Sequence, residues 1–165
     1  MEKDYKIIDN VLPKEEFSKI QSWILGSSFP WYFQDCVAED NQEYLPDFYF
    51  AHLLYNTDTG EHSPFFKLCE PILAHIPSDK VFRIKANLYP NVGKYKENRP
   101  HVDFPFTHRG AIFYINTNDG YTILDDGTKI ESKENRLLLF NSEKPHSSTH
   151  CTDKKARINI NFNFY

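Results

Sequence analysis

Residues 157–165, RININFNFY, alternate without a break: Ile158, Ile160, Phe162 and Phe164 fall on one side, Asn159, Asn161 and Asn163 on the other. Successive side chains of a strand point to opposite faces, so this segment is a strand with one face in an apolar core and one in a polar space. Working back along the chain, similar short runs recur. They are NRLLLFN (135–141), YTIL (121–124), GAIFYIN (110–116), HVDF (101–104) and VFRIKANLY (81–89). Turn-forming stretches separate several of them: PNVG at 90–93, NTNDG at 116–120 and DDG at 125–127. Many short strands at this spacing predict a sandwich or barrel.

Upstream of residue 80 the period changes. In KEEFSKIQSWIL (14–25), Phe17, Ile20 and Ile24 make one apolar stripe, Glu15 and Glu16 suit the N-terminal dipole, and Pro13 and Gly26 bracket the run. That predicts a helix. PFFKLCEPILAHI (64–76) predicts a second, with Phe65, Leu68, Ile72 and Ile76 on one face and Pro71 as a kink or split. The aromatic stretch 29–55 reads as strands with loops. Helices followed by a run of strands predict helices packed on one sheet of a β-sandwich, and a double-sheet jelly roll fits.

The 165 residues suit one domain, long enough to bury about two thirds of the unfolded surface. Fourteen Phe, ten Tyr and two Trp favour pleated, half-buried surfaces. Net charge is −4, with no basic cluster, which argues against a nucleic-acid partner. No apolar run approaches a membrane span, and the charged start MEKDYKIIDN lacks the apolar run expected of a signal peptide. Cys36, Cys69 and Cys151 are widely spaced and odd in number; they read as free thiols of a cytoplasmic protein rather than a zinc site.

Chemistry concentrates at His101-Val102-Asp103. In a strand these two side chains share a face and converge on one ion. A distal histidine completes a two-His, one-carboxylate set, the facial triad of non-heme iron(II) oxygenases, which leaves positions open for other ligands. His146 and His150 are both candidates; the spacing to Arg157 favours His146. His108, in FTHRG, reads as facing solvent or a substrate entrance, and His52, His62 and His75 have no ligand-like company. An HxD tripeptide alone is a weak signal. Arg157, eleven residues beyond His146, strengthens it, because a cavity-lining guanidinium matches a carboxylate bidentately.

With these residues in place, the chain resembles the 2-oxoglutarate/Fe(II) oxygenase superfamily, within it the prolyl-hydroxylase-like branch. The resemblance covers residues 81–165 in order and spacing: NLYPNVGKY (87–95), HVD (101–103), GAIFYIN (110–116), NRLLLFNSEKPH (135–146) and Arg157 at the start of the last strand. IIDNVLPKEEFSKIQSWI is similar to the branch's N-terminal helix. The resemblance implies a mainly β fold with N-terminal helices: a double-stranded β-helix (jelly roll, cupin-like), residues 1–80 supplying helices and supporting strands and 81–165 the metal-binding core.

It implies His101, Asp103 and His146 as iron(II) ligands and as the catalytic centre. Arg157 would anchor 2-oxoglutarate, with Tyr89 and Tyr114 lining its pocket and Tyr95 near the substrate. Asn161 and Asn163 stand where the family carries bulkier residues or Thr, implying a more polar pocket floor. The implied reaction consumes O₂ and 2-oxoglutarate, releases succinate and CO₂, and hydroxylates a C–H bond of a peptidyl (prolyl) or small-molecule substrate, with ascorbate as candidate reductant. An intact Asp103 argues against halogenation, and Asn163 stands where the nucleic-acid demethylating branch carries a second Arg. Two rivals use the same residues: a non-catalytic metabolite-binding jelly roll, and a zinc hydrolase.

Overall fold

The computed structural model describes residues 4–35, 48–78 and 80–165; Cys36 and part of the stretch 29–55 lie outside them. The elements in chain order are β1 (Tyr5–Asp9), α1 (Lys14–Leu25), β2 (Tyr32–Gln34), β3 (Tyr49–Asn56) and β4 (Glu61–His62). A 3-10 helix (Pro64–Cys69) runs into the single turn α2 (Glu70–Leu73). Then come β5 (Val81–Pro90), β6 (Arg109–Tyr114), β7 (Tyr121–Ile123), β8 (Lys129–Glu131), β9 (Arg136–Phe140), β10 (Ser147–Ser148) and β11 (Ala156–Phe164).

The larger sheet runs β1-β9-β6-β11-β5-β3-β2, with β4 on β3, and the smaller runs β10-β7-β8. All the pairings are antiparallel. The fold is a mainly β jelly roll with helices before the core strands. The alternation in β11 divides the larger sheet's two faces. Ile158, Ile160, Phe162 and Phe164 join Ile84, Ala86, Phe113 and Leu137 in the main core. Helix α1 covers this face with Phe17, Ile20 and Ile24, all buried, and Phe17 meets Phe113 edge-on at 6.0 Å. Each such side chain contributes about 1.5–3 kcal/mol by leaving water. The other face holds Arg157 and Asn159, Asn161 and Asn163, and looks into the sandwich.

Segment 64–76 is split, as Pro71 allowed, and is not one α-helix. Pro71 has no N–H and its ring crowds the carbonyl four residues back, so the α ladder cannot run through it. The segment starts instead as a 3-10 helix, capped where Ser63 Oγ accepts from the Phe65 N–H at 3.2 Å. HVDF is not a strand either: His101 makes an isolated bridge and Asp103 lies in a bend.

The N-terminal segment is tied to the sheet by Asn135, at φ 57° just ahead of β9. Its side-chain oxygen accepts from Leu12 N–H at 3.0 Å and its amide donates to Leu12 O at 2.8 Å, both buried. Asn135→Ala strands two buried backbone groups and puts a less tolerant residue at positive φ. The expected loss is about 2–4 kcal/mol, or roughly 5–15 °C in Tm. Urea and thermal melts check it; a loss under about 0.5 kcal/mol would show that this clamp is immaterial.

Candidate active site

His101 and His146 are brought together by backbone. The His101 N–H donates to His146 O at 2.9 Å and the His146 N–H donates to His101 O at 3.0 Å. Their ring centroids lie 4.8 Å apart. Each Nδ1 faces a carbonyl, Arg99 O at 3.3 Å and Lys144 O at 3.2 Å. Those carbonyls favour a proton on Nδ1, which leaves Nε2 with a lone pair, as a metal-binding imidazole requires. Burial lowers the His146 pKa, favouring the neutral ring; the Asp103 charge opposes this. Asp103 completes the group: one candidate ligand atom from each of the three residues lies within 4.8 Å of the other two.

The Asp103 carboxylate is held at both oxygens. Oδ1 accepts from Arg83 Nη2 at 3.2 Å, and Oδ2 accepts from Asn163 Nδ2 at 2.8 Å and Asn161 Nδ2 at 3.3 Å. Burial works to raise its pKa. The Arg83 charge, the two histidines and the Asn163 hydrogen bond outweigh burial and hold it well below the carboxylate range, so Asp103 is ionised. Arg83 is itself fixed: Nε donates to Asn163 Oδ1 at 2.9 Å, and its guanidinium lies 4.5 Å from the Phe104 ring centroid. Asn161 and Asn163, expected to line a polar pocket, thus also brace the carboxylate.

Farther along the same face is Arg157, fully buried. It lies between two phenol rings, 5.4 Å from Tyr89 and 5.7 Å from Tyr114. Nε donates to Ser132 Oγ and Nη2 to Thr122 Oγ1, both at 2.8 Å. Tyr114 shares a 2.8 Å hydrogen bond with the same Thr122 oxygen. Burial raises both tyrosine pKa values against the pull of Arg157, so both phenols stay protonated. Among the described residues Arg157 pairs with no carboxylate, and its buried Nη1 has no hydrogen-bond partner. A desolvated guanidinium with a spare N–H is suited to pairing with an anion.

Gly120 makes room for this arginine: a Cβ there would stand 2.8 Å from Arg157 Cδ and 2.9 Å from Asn118 Oδ1. Arg157 is pinned on both flanks and cannot step aside. Gly120→Ala should therefore cost about 1–3 kcal/mol of stability. Melting curves check it; a loss under about 0.5 kcal/mol would show that the arginine tolerates displacement.

Of the expected site residues, the structure unites His101, Asp103, His146, Asn161 and Asn163 at one end of the face and Arg157, Tyr89 and Tyr114 at the other. His150 belongs to the second group: its Nδ1 lies 2.6 Å from Pro90 O and its ring 6.0 Å from Tyr89, leaving His146 as the histidine of the triad. Tyr95 is exposed on the loop after β5. His108 does not face solvent; it is buried among Phe82, Phe104 and Phe106, with Nδ1 2.7 Å from Phe106 O. Its apolar neighbours in sequence, Phe104 and Phe106, fold over it. Arg83, Lys85, Thr122 and Ser132 were not anticipated. The alternation of VFRIKANLY does carry a signal for the first two, since it sets Arg83, Lys85, Asn87 and Tyr89 on one face of β5.

No family model and no curated protein matches the chain by sequence. Solved structures do match in fold. A prolyl hydroxylase from Trichoplax adhaerens, in complex with a hypoxia inducible factor oxygen degradation domain peptide fragment, aligns with a TM-score of 0.68 at 16% identity, over 98% of this chain and 83% of that one. The viral collagen prolyl hydroxylase of Paramecium Bursaria Chlorella virus-1, a 2OG complex, aligns at 0.63 and 14%, over 98% and 95%. An oxidoreductase of the 2OG-Fe(II) oxygenase family from Burkholderia pseudomallei aligns at 0.70 and 8%, over 98% and 84%. At such identities the likeness is one of fold: the chain has the jelly roll of prolyl hydroxylases and other 2OG-Fe(II) oxygenases.

Proposed function

We propose that this protein is an iron(II)- and 2-oxoglutarate-dependent oxygenase that hydroxylates a C–H bond of a peptidyl or small-molecule substrate and releases succinate and CO₂. The observation that carries this is a pair of features on one polar face: a His-Asp-His group and a fully buried arginine with a spare N–H and no carboxylate partner among the described residues. A metal-binding jelly roll without a dicarboxylate co-substrate has no need of the second feature. The similar fold of 2OG-Fe(II) oxygenases supports the same reading.

His101, Asp103 and His146 would hold the iron through two neutral imidazoles and one ionised carboxylate, a set suited to a divalent ion with open positions. When bound, iron and 2-oxoglutarate together supply the O₂-dependent oxidation. The chain's own residues orient and exclude. Asn161, Asn163 and Arg83 fix the Asp103 carboxylate; such outer partners typically carry 10–100-fold in metal affinity. Arg157 takes the distal carboxylate of 2-oxoglutarate, and Tyr89 and Tyr114 shield that ion pair from water. Prolyl peptides rank ahead of nucleic acids as substrates, given the net charge of −4 and the peptide held by the Trichoplax enzyme.

Free thiols at Cys69 and Cys151, both buried, suit a cytoplasmic setting, and among the described residues no helix is long and apolar enough to cross a membrane. The test is succinate formation from 2-oxoglutarate with and without iron, then with proline-rich peptides, small metabolites and methylated single-stranded DNA. Iron-dependent succinate is the expected result. Zinc-supported hydrolysis without 2-oxoglutarate would replace this reading with a hydrolase, and stimulation by the DNA alone would reverse the ranking of substrates.

A further inference from the structure

Along β3 and β5 lies a pocket of about 670 Å³, whose lining includes Tyr49, His52, Ser63, Arg83 and Lys85. Its inner wall is β5, one hydrogen bond from the triad: Arg83, in the pocket lining, donates to Asp103. Lys85 stands in register with Asn161, and Arg157 in register with Tyr89. The two cations are therefore four residues apart along β5, roughly 13 Å, with the triad at the Lys85 end.

The charges at that end do not balance. Arg83 is matched by Asp103 at 3.2 Å. Lys85 donates to Tyr49 Oη at 3.2 Å and lies 5.5 Å from that ring's centroid, and among the described residues it pairs with no carboxylate. Glu61 also lines the pocket, but it is exposed on β4. Lys85 is half-buried in the pocket lining, so an arriving anion can reach its ammonium and pair with it.

We propose that this pocket receives the primary substrate, and that Lys85, with Tyr49 and Arg83 beside it, selects a small molecule carrying a carboxylate or phosphate. This rests on the oxygenase reading and narrows its substrate class. The pocket volume suits a metabolite-sized ligand, and an anionic group held at Lys85 is close to the triad, since Asn161, in register with Lys85, donates to Asp103. The state of Lys85 agrees: burial, then the neighbouring Arg83 charge, push its pKa down to about 8 against the pull of Asp103. An anion beside the amine would raise that pKa again and favour the ammonium.

Pyridoxal 5′-phosphate is a suitable probe, being a small anion with an aldehyde. At an amine it forms an imine, a C=N bond made with loss of water, which borohydride reduces to a stable secondary amine that peptide mapping locates. The full chain, saturated with 2-oxoglutarate, should be labelled at Lys85 in preference to its exposed lysines. Labelling should be at least about tenfold stronger than with pyridoxal, which lacks the phosphate. Competition by inorganic phosphate or by acetate then tells which anion the pocket prefers.

Absence of label at Lys85, or equal labelling by the two aldehydes, would overturn the proposal. So would protection by 2-oxoglutarate, or a Lys85→Met variant that loses more than about twofold in 2-oxoglutarate affinity, since either would assign Lys85 to the co-substrate. Failure of the oxygenase reading is separable: it appears as absent 2-oxoglutarate binding in the unlabelled wild-type protein.

Discussion

Arg157→Ala is expected to weaken 2-oxoglutarate binding by roughly 30-fold to several thousand-fold while leaving iron affinity nearly unchanged. The range follows from removing one partner of a buried, hydrogen-bonded charge pair, about 2–5 kcal/mol, at about 1.4 kcal/mol per decade. Arg157 suits that role because it is fully buried, flanked by Tyr89 and Tyr114, and fixed by Ser132 and Thr122, so little ordering remains to be done when an anion arrives. Iron affinity should hold because no atom of Arg157 belongs to the His-Asp-His group. Arg157→Lys should fall between, keeping charge but losing the bidentate fork. Titration of the iron-loaded variants without oxygen decides it, with a melting curve to confirm that each remains folded. An alanine variant that binds as tightly as wild type would place the anchor elsewhere and count against the proposed oxygenase function.

Asp103→Ala is expected to lower iron(II) affinity more than about 100-fold, beyond what loss of an outer-shell partner brings. Asp103 is the ionised member of the triad, and three donors converge on it; alanine removes the ligand and leaves Arg83, Asn161 and Asn163 facing an empty corner. His101→Ala and His146→Ala should each cause a loss of comparable scale. His150→Ala supplies the contrast. Its ring lies beside Tyr89, away from the triad, so iron affinity should change less than threefold or so. Anaerobic iron titration of the four variants is the measurement. Normal binding by the His146 variant with loss in the His150 variant would reverse the assignment of the distal ligand.

Much of this site was legible in the chain because strand alternation is a local property. The pattern of 157–164 placed the isoleucines and phenylalanines in the core and the asparagines toward the cavity, and the faces of β11 follow it. Helix α1 was legible for the same reason, with its stripe of Phe17, Ile20 and Ile24. Long-range pairings were not legible. Strand β1 reaches β9 across some 130 residues, joining Tyr5 to Phe140, and nothing local to either segment announces that contact. Strands β8 and β10, of three and two residues, are too short to show a period.

Within the site, alternation showed that Arg83 and Lys85 share a face but not what they meet there. Arg83 lies twenty residues from Asp103 in sequence, and their ion pair depends on the bend that carries Asp103 back over β5. His108 was misjudged for a related reason: its immediate neighbours Thr107 and Arg109 are polar, yet Phe104 and Phe106 fold over the imidazole.

The most direct test is calorimetric titration of 2-oxoglutarate into wild-type protein without oxygen, once with iron(II) bound and once after its removal by a chelator. The expected result is saturable one-to-one binding that is at least about tenfold tighter with iron present, because the co-substrate then meets the metal at one end and Arg157 at the other. No binding, or binding equally tight without the metal, would contradict the claim that the triad and the buried arginine form a single site.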